Sequence, residues 1–270
     1  MDFLDLGERS VFFFLLLFVL SIVVGQCLAI GGLFFFKRSG DARANAFFGL
    51  LLLTFGLTLL HNILYFLKVY EQFPRLKFLP LYYTLAFPTL LFYHVKLSLY
   101  PSYHLRWTDV KHFLLPGLQF LFFVVLFLLP VEVKSQWDRN FYNPFYGAFE
   151  QLLYLSTFSA YLYFAHRYVR QRRLALSRPK LQPKELKKVL YERTLIRVLF
   201  VLFVIHAAFV VTDFVCYEFL NINLRAVKLY VALGMLSFAA LAFWLGTYGF
   251  QVLLWGRRVF GSKNQSHADA

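Results

Sequence analysis

Long apolar runs recur along the whole chain and decide its solvent before any motif is considered. A helix needs roughly 20 apolar residues, rising about 1.5 Å each, to cross the ~30 Å hydrocarbon core of a bilayer. Runs that meet or approach that length cover residues 11–36, 46–70, 78–99, 112–129, 143–168, 194–220 and 226–255. With 60% of residues hydrophobic, 21% aromatic and only 16% charged, the apolar surface exceeds what the core of a 270-residue soluble domain could hide. Lipid is therefore the expected solvent, and the expected fold is all-α, a polytopic bundle of about seven transmembrane helices. The first run reads as a retained helix and not a signal peptide. It is longer than an h-region, its upstream flank carries Asp2, Asp5 and Glu8, and no small-residue cleavage site follows it convincingly. The fifth run is amphipathic through Glu150, Gln151 and several hydroxyls, so protein should line one of its sides.

Orientation follows from the basic residues that flank these runs. One alternating set of connections carries Lys37, Arg38, Arg43, Arg106, Lys111, the basic residues from Arg167 to Arg193, Arg257, Arg258 and Lys263, 18 in all. The other set carries Arg9, Lys68, Arg75, Lys77, Lys134, Arg139, Arg225 and Lys228, which is 8. Short cytoplasmic loops hold the excess of Lys and Arg, so the N-terminus is expected outside and the C-terminus in the cytoplasm. The same asymmetry accounts for the net charge of +14 without invoking nucleic acid.

Residues 1–255 read as a single transmembrane domain, and 256–270 as a polar cytoplasmic tail too short to fold alone. The longest loop, residues 167–193, starts as a basic helix continuation, breaks at Pro179 and Pro183, and restarts as KELKKVLYERTLIRVL. Its Arg170, Arg172, Arg173, Lys184, Lys187 and Lys188 suit either of two partners. One is anionic lipid, at about 1 kcal/mol per basic residue near the surface; the other is a cytoplasmic protein. Groove-reading and RNA-stacking motifs are missing from the sequence, so no direct contact with nucleic acid is expected. Cys27 and Cys216 fall at different depths of their runs, which disfavours a disulfide and makes both packing residues.

Ionisable groups inside a bilayer are the default pointers to function. On this topology His61, Glu150 and Asp213 sit roughly 9–12 Å from the outer surface, counting about 1.5 Å per helical residue. Asn62, Tyr65, Tyr82, Tyr83, Gln151 and Tyr154 share their layer, and His206 lies two turns from Asp213, nearer the midplane. Such a layer suits an outward-facing polar cavity for a ligand or ion. Its alternative is a set of interhelical hydrogen bonds, each worth about 0.6 kcal/mol.

Several enzyme classes are disfavoured by what these residues do not form. Membrane di-iron oxygenases need clustered histidines, whereas the seven histidines here are scattered. A retinal protein needs a lysine in the middle of its last helix, but Lys228 stands at the end of that run. Neither H-E-x-x-H nor a G-x-x-x-x-G-K phosphate loop occurs. His104 and His112 flank one loop without a third ligand nearby, which favours a surface pair over a metal site. Secondary transporters show internal repeats and paired helix breaks; no repeat aligns here, and Pro88 alone interrupts a run, where a kink is expected. No cofactor is named by any of these features.

The stretch LAFPTLLFYHVKLSLYPSYHLRWTDVKHFLLP, from Leu85 to Pro116, resembles the seven-helix N-terminal domain of membrane-bound AraC-type regulators. Pro88, Tyr93, Lys96, Ser98, Asp109, His112, Phe113 and Pro116 occupy the matching positions, and the likeness continues more loosely to WLGTYGFQ at Trp244 to Gln251. Those regulators carry a cytoplasmic helix-turn-helix domain after the last span, and this sequence stops before one could begin. The resemblance therefore implies a sensor or scaffold that signals through another protein, in the cytoplasmic (inner) membrane of a bacterium. The expectation is a sensory or signal-transmitting module whose ligand enters near His61, Glu150 and Asp213. A small transporter, a lipid-handling intramembrane enzyme and an anchor subunit for a soluble partner are the alternatives.

Overall fold

The computed structural model describes residues 11–36, 41–176 and 183–261. The acidic N-terminal flank, Lys37 and Arg38, the break at Pro179 and the tail beyond residue 261 lie outside the described residues. Those described are helical throughout their long elements, with no strand among them. The α-helices are α1 (Val11–Phe36), α2 (Ala42–Phe66), α3 (Val69–Gln72), α4 (Ala86–Leu99), α5 (Leu114–Leu128), α6 (Val131–Trp137), α7 (Gly147–Leu176), α8 (Pro183–Glu218) and α9 (Lys228–Gly261).

Local chemistry sets the ends of these helices, and that is where they depart from the apolar runs. Helix α2 starts at Ala42 and not at residue 46, because the Asp41 carboxylate accepts the Arg43 amide at 2.9 Å and caps a polar first turn. It stops where Lys68 turns left-handed, at φ 56°. Helix α8 ends where Asn221 takes a left-handed φ of 55° and the Ile222 amide reaches back to the Cys216 carbonyl at 2.8 Å. The third run differs most. Only Ala86–Leu99 is helical, so Pro88 falls in the first turn, where its missing donor is tolerated, and the expected central kink is replaced by a helix start.

Five segments are long and apolar enough to cross a membrane: Val11–Phe36, Ala42–Phe66, Trp107–Leu128, Glu185–Glu218 and Lys228–Leu254. The expected count was seven. Helix α4, of 14 residues, and α7, which carries Glu150 and ends in Arg167, Arg170, Arg172 and Arg173, are not among them. Burial explains α4. All of its residues are buried, because α2 and α7 flank it and α8 and the 3-10 segment Trp107–Phe113 cover it further. A helix sheathed in protein has no need of lipid-facing length.

Around α4 the neighbours run α1 against α2, α7 against α8, and α9 against α1, α2 and α8. The close approach of α1 to α2 depends on two small residues. A Cβ on Gly49 would stand 2.9 Å from the Gly31 carbonyl oxygen, and one on Gly31 would stand 3.0 Å from that of Gly49. At the centre Phe55 stacks on Phe87 at 3.8 Å, and Phe238 closes the group at 5.4 and 6.0 Å. Cys27 is buried with Sγ 3.5 Å from the Ala242 carbonyl, and Cys216 is a second free thiol.

Candidate functional site

Two polar clusters lie at the two ends of α4. At its N-terminal end the chain between residues 77 and 85 is irregular, and irregular backbone at membrane depth persists only where protein satisfies its polar groups. Thr58 Oγ1 accepts the Tyr83 amide at 3.0 Å, and Gln119 Oε1 accepts the Leu85 amide at 3.1 Å. Gln119 Nε2 donates to Thr84 Oγ1 at 3.1 Å and to the Glu150 carboxylate. Glu150, 2% exposed, is thus joined to the start of α4 through a single amide.

A layer of rings extends this cluster. Tyr82, Tyr142 and Tyr146 interact electrostatically with Glu150. Tyr82 also packs against His61 at 5.2 Å, and His61 Nδ1 meets the Tyr70 hydroxyl at 2.9 Å. On the far side the Tyr154 ring lies 6.3 Å from His206, whose Nδ1 meets Ser237 Oγ at 3.0 Å. The buried Tyr154 hydroxyl has no hydrogen-bond partner among the described residues.

The residues expected to bind a ligand are therefore sorted by the fold. His61, Glu150, Tyr154 and His206 share one contiguous packed layer. Asn62 and Gln151 are half-buried beside it, while Tyr65 is 67% exposed. Asp213 lies near the C-terminal end of α8 next to Tyr230, whose hydroxyl bonds the Phe209 carbonyl at 2.6 Å.

The C-terminal end of α4 carries the second cluster, and the motif that prompted the family resemblance builds it. Asp109 Oδ1 accepts the Tyr93 hydroxyl at 2.8 Å, and Oδ2 accepts the Tyr103 hydroxyl at 2.6 Å and the Arg106 amide at 2.8 Å. Lys96 Nζ stands 3.6 Å from Asp109 Oδ1 and 3.6 Å above the Tyr103 ring. Lys96 thus turns inward. Phe113 stacks on Tyr93 at 5.2 Å, Thr89 Oγ1 donates to the His112 carbonyl at 2.9 Å, and the His112 ring meets the Tyr161 hydroxyl. Ser98 Oγ donates to Glu192 of α8 at 2.6 Å, and His94 Nε2 lies 3.8 Å from the same oxygen. The hydrogen bond to Asp109, together with burial, raises the Tyr103 phenol above its ordinary value.

This end gathers the basic loops. Arg43 donates to the Pro101 carbonyl at 2.6 Å and to that of Tyr103 at 2.8 Å, and Arg172 lies 5.3 Å over the Tyr100 ring and pairs with Glu185 at 3.1 Å. Arg170, Arg173 and Lys187 are exposed, Arg172 and Lys188 half-buried, and the Lys184 side chain is outside the described residues. At the opposite end Lys77 pairs with Asp138 at 2.7 Å, and Lys134, its basicity lowered by burial, donates to the Arg75 carbonyl at 3.0 Å.

Gln119, Thr58, Thr84 and Glu192 were not singled out from sequence. Gln119 was legible as the one amide in an otherwise apolar run; Glu192 was masked by the basic residues around it. No group of three His, Cys, Asp or Glu gathers as a metal site among the described residues. No family model, curated protein or solved structure matches the chain, so the reading of both clusters rests on their own geometry.

Proposed function

We propose that this protein is a seven-pass sensory or signal-transmitting module of a bacterial cytoplasmic membrane, with its basic end in the cytoplasm. The observation that carries the reading is α4: one helix, buried along its whole length, is joined at one end to Glu150 of α7 and at the other to Glu192 of α8 and Asp109. A rigid buried rod bonded at both ends is the element through which a change in one polar layer reaches the other. Its outer input is the layer of His61, Glu150, Tyr154 and His206. The unpartnered Tyr154 hydroxyl there supplies a donor that a small polar ligand or an ordered water would satisfy. Its output is the pair of helices α7 and α8, which bear the basic loop and dock a cytoplasmic protein. The AraC-type resemblance agrees with this division, since most of the residues that carry it belong to the second cluster.

Seven crossings are supported by the chain's path. Arg43, at the start of α2, bonds to carbonyls just past the end of α4, so α4 returns the chain to the level that α2 left. Transmission requires two helix arrangements that a ligand distinguishes. The test places spin labels at Arg170→Cys and Lys187→Cys in a Cys216→Ser background in nanodiscs, and compares Glu150 with Glu150→Gln. Removing the charge should redistribute the distances between the labels. An unchanged distribution in a folded Glu150→Gln protein would refute the coupling.

A further inference from the structure

An open cavity of about 420 Å³ lies beside the second cluster, lined by Lys96, Tyr100, Ser102, Tyr103, His104, Arg106 and Tyr168. That volume falls within the roughly 300–1,000 Å³ of small-molecule sites. Its charge is one-sided. Asp109, the carboxylate beside Lys96, is not one of its lining residues, and both of its oxygens are already taken by Tyr93, Tyr103 and the Arg106 amide. The other carboxylates near this end are engaged as well: Asp41 by Arg43, Glu185 by Arg172 and Glu192 by Ser98. Arg106 and His104 remain on the exposed rim.

Lys96 is the informative wall residue. It is 9% exposed, and its ammonium is held by the Asp109 charge at 3.6 Å and the Tyr103 ring face. Its three N–H donors make no hydrogen bond among the described residues. A nearly buried ammonium with unused donors at a cavity wall is a point charge awaiting an oxyanion. Ser102, Arg106 and His104 add donors around it. Next to the rim Trp107 is 91% exposed and Leu105 45% exposed, and an exposed Trp is a residue type suited to the headgroup level of a bilayer.

We propose that this cavity binds a phosphate group, with Lys96 and Arg106 as its principal cationic contacts. The phosphate comes either from an anionic lipid headgroup or from a free phosphate in solution. The inference does not depend on the sensory reading and holds for either direction of signalling.

Binding is read as thermal stabilisation of the full detergent-purified chain, since a ligand of the folded state raises the midpoint by mass action. The probes are short-chain phosphatidylglycerol, short-chain phosphatidylcholine and inorganic phosphate. Stabilisation by phosphatidylglycerol but not by phosphatidylcholine or phosphate assigns the lipid; stabilisation by phosphate as well assigns the free anion. In either case Arg106→Gln, at an exposed position that leaves the Lys96 and Asp109 pair intact, should weaken binding at least tenfold. Lys96→Gln should abolish it. Equal stabilisation by phosphatidylcholine, no stabilisation by either phosphate source, or unaltered binding by Arg106→Gln overturns the proposal.

Discussion

At the scale of single residues, buried polar side chains here are joints between helices. Gln119 spends its oxygen on the Leu85 amide and its nitrogen on Thr84 and Glu150. Gln119→Leu keeps the volume and removes all three contacts, so the start of α4 loses its anchor. An unmet buried amide costs about 1–3 kcal/mol, and thermal unfolding in detergent should show a loss of that order. Asp41 makes a pH-dependent contribution. Burial pushes its carboxyl up, but the side-chain and backbone hydrogen bonds from Arg43 outweigh this and hold it below the usual carboxylate range. A carboxylate lowered on folding stabilises above its unfolded value, near pH 4, and that stability is lost as pH falls through the folded one. The midpoint advantage of the wild type over Asp41→Asn should be present at neutral pH and vanish on acidification below about pH 4.

At the scale of elements, apolar runs were legible from sequence because lipid exposure leaves a signal that survives without tertiary knowledge. Helices α1, α2, α8 and α9 follow the runs, with ends shifted by caps such as Asp41 and Asn221. Helix α4 was only partly legible: the run around it is continuous, yet Lys77 to Leu85 is irregular and is satisfied by Thr58 and Gln119 from other helices. Side-chain partners that distant in sequence leave no local mark. The same holds for the site. Its polar residues could be listed from sequence, but that Tyr82 packs against His61 while Asp213 stands near Tyr230 depends on packing. Small residues at the contact of α1 and α2 make a prediction at this scale. Gly49→Ala places a methyl 2.9 Å from the Gly31 carbonyl oxygen, a backbone atom that cannot swing away. Overpacking of this kind costs about 1–3 kcal/mol, and Gly49→Ala should lower the unfolding midpoint accordingly, whereas Gly25→Ala, with nothing within 4 Å of its Cβ, should not.

At the scale of the whole molecule, the bundle sets one polar cluster at each end of α4 and charged groups at both of its ends. Arg43, Lys96, Arg106 and Arg172 meet at one end. Lys77, Asp138 and Lys134 tie the loops at the other. On the proposed seven-pass path α4 and α7 carry the chain between the ends, although neither is among the five segments long and apolar enough to cross a membrane. The complete burial of α4, bonded at both of its ends, is what the proposed signalling axis requires. Single-cysteine accessibility in intact and permeabilised cells tests this most directly, with Glu71→Cys and His104→Cys bracketing α4, and Arg139→Cys and Arg170→Cys bracketing α7, all in the Cys216→Ser background. Labelling of the 71 and 139 positions from outside, and of 104 and 170 only after permeabilisation, is the predicted result. Reaction of both members of either pair from the same side would contradict the seven-pass bundle with α4 as its axis.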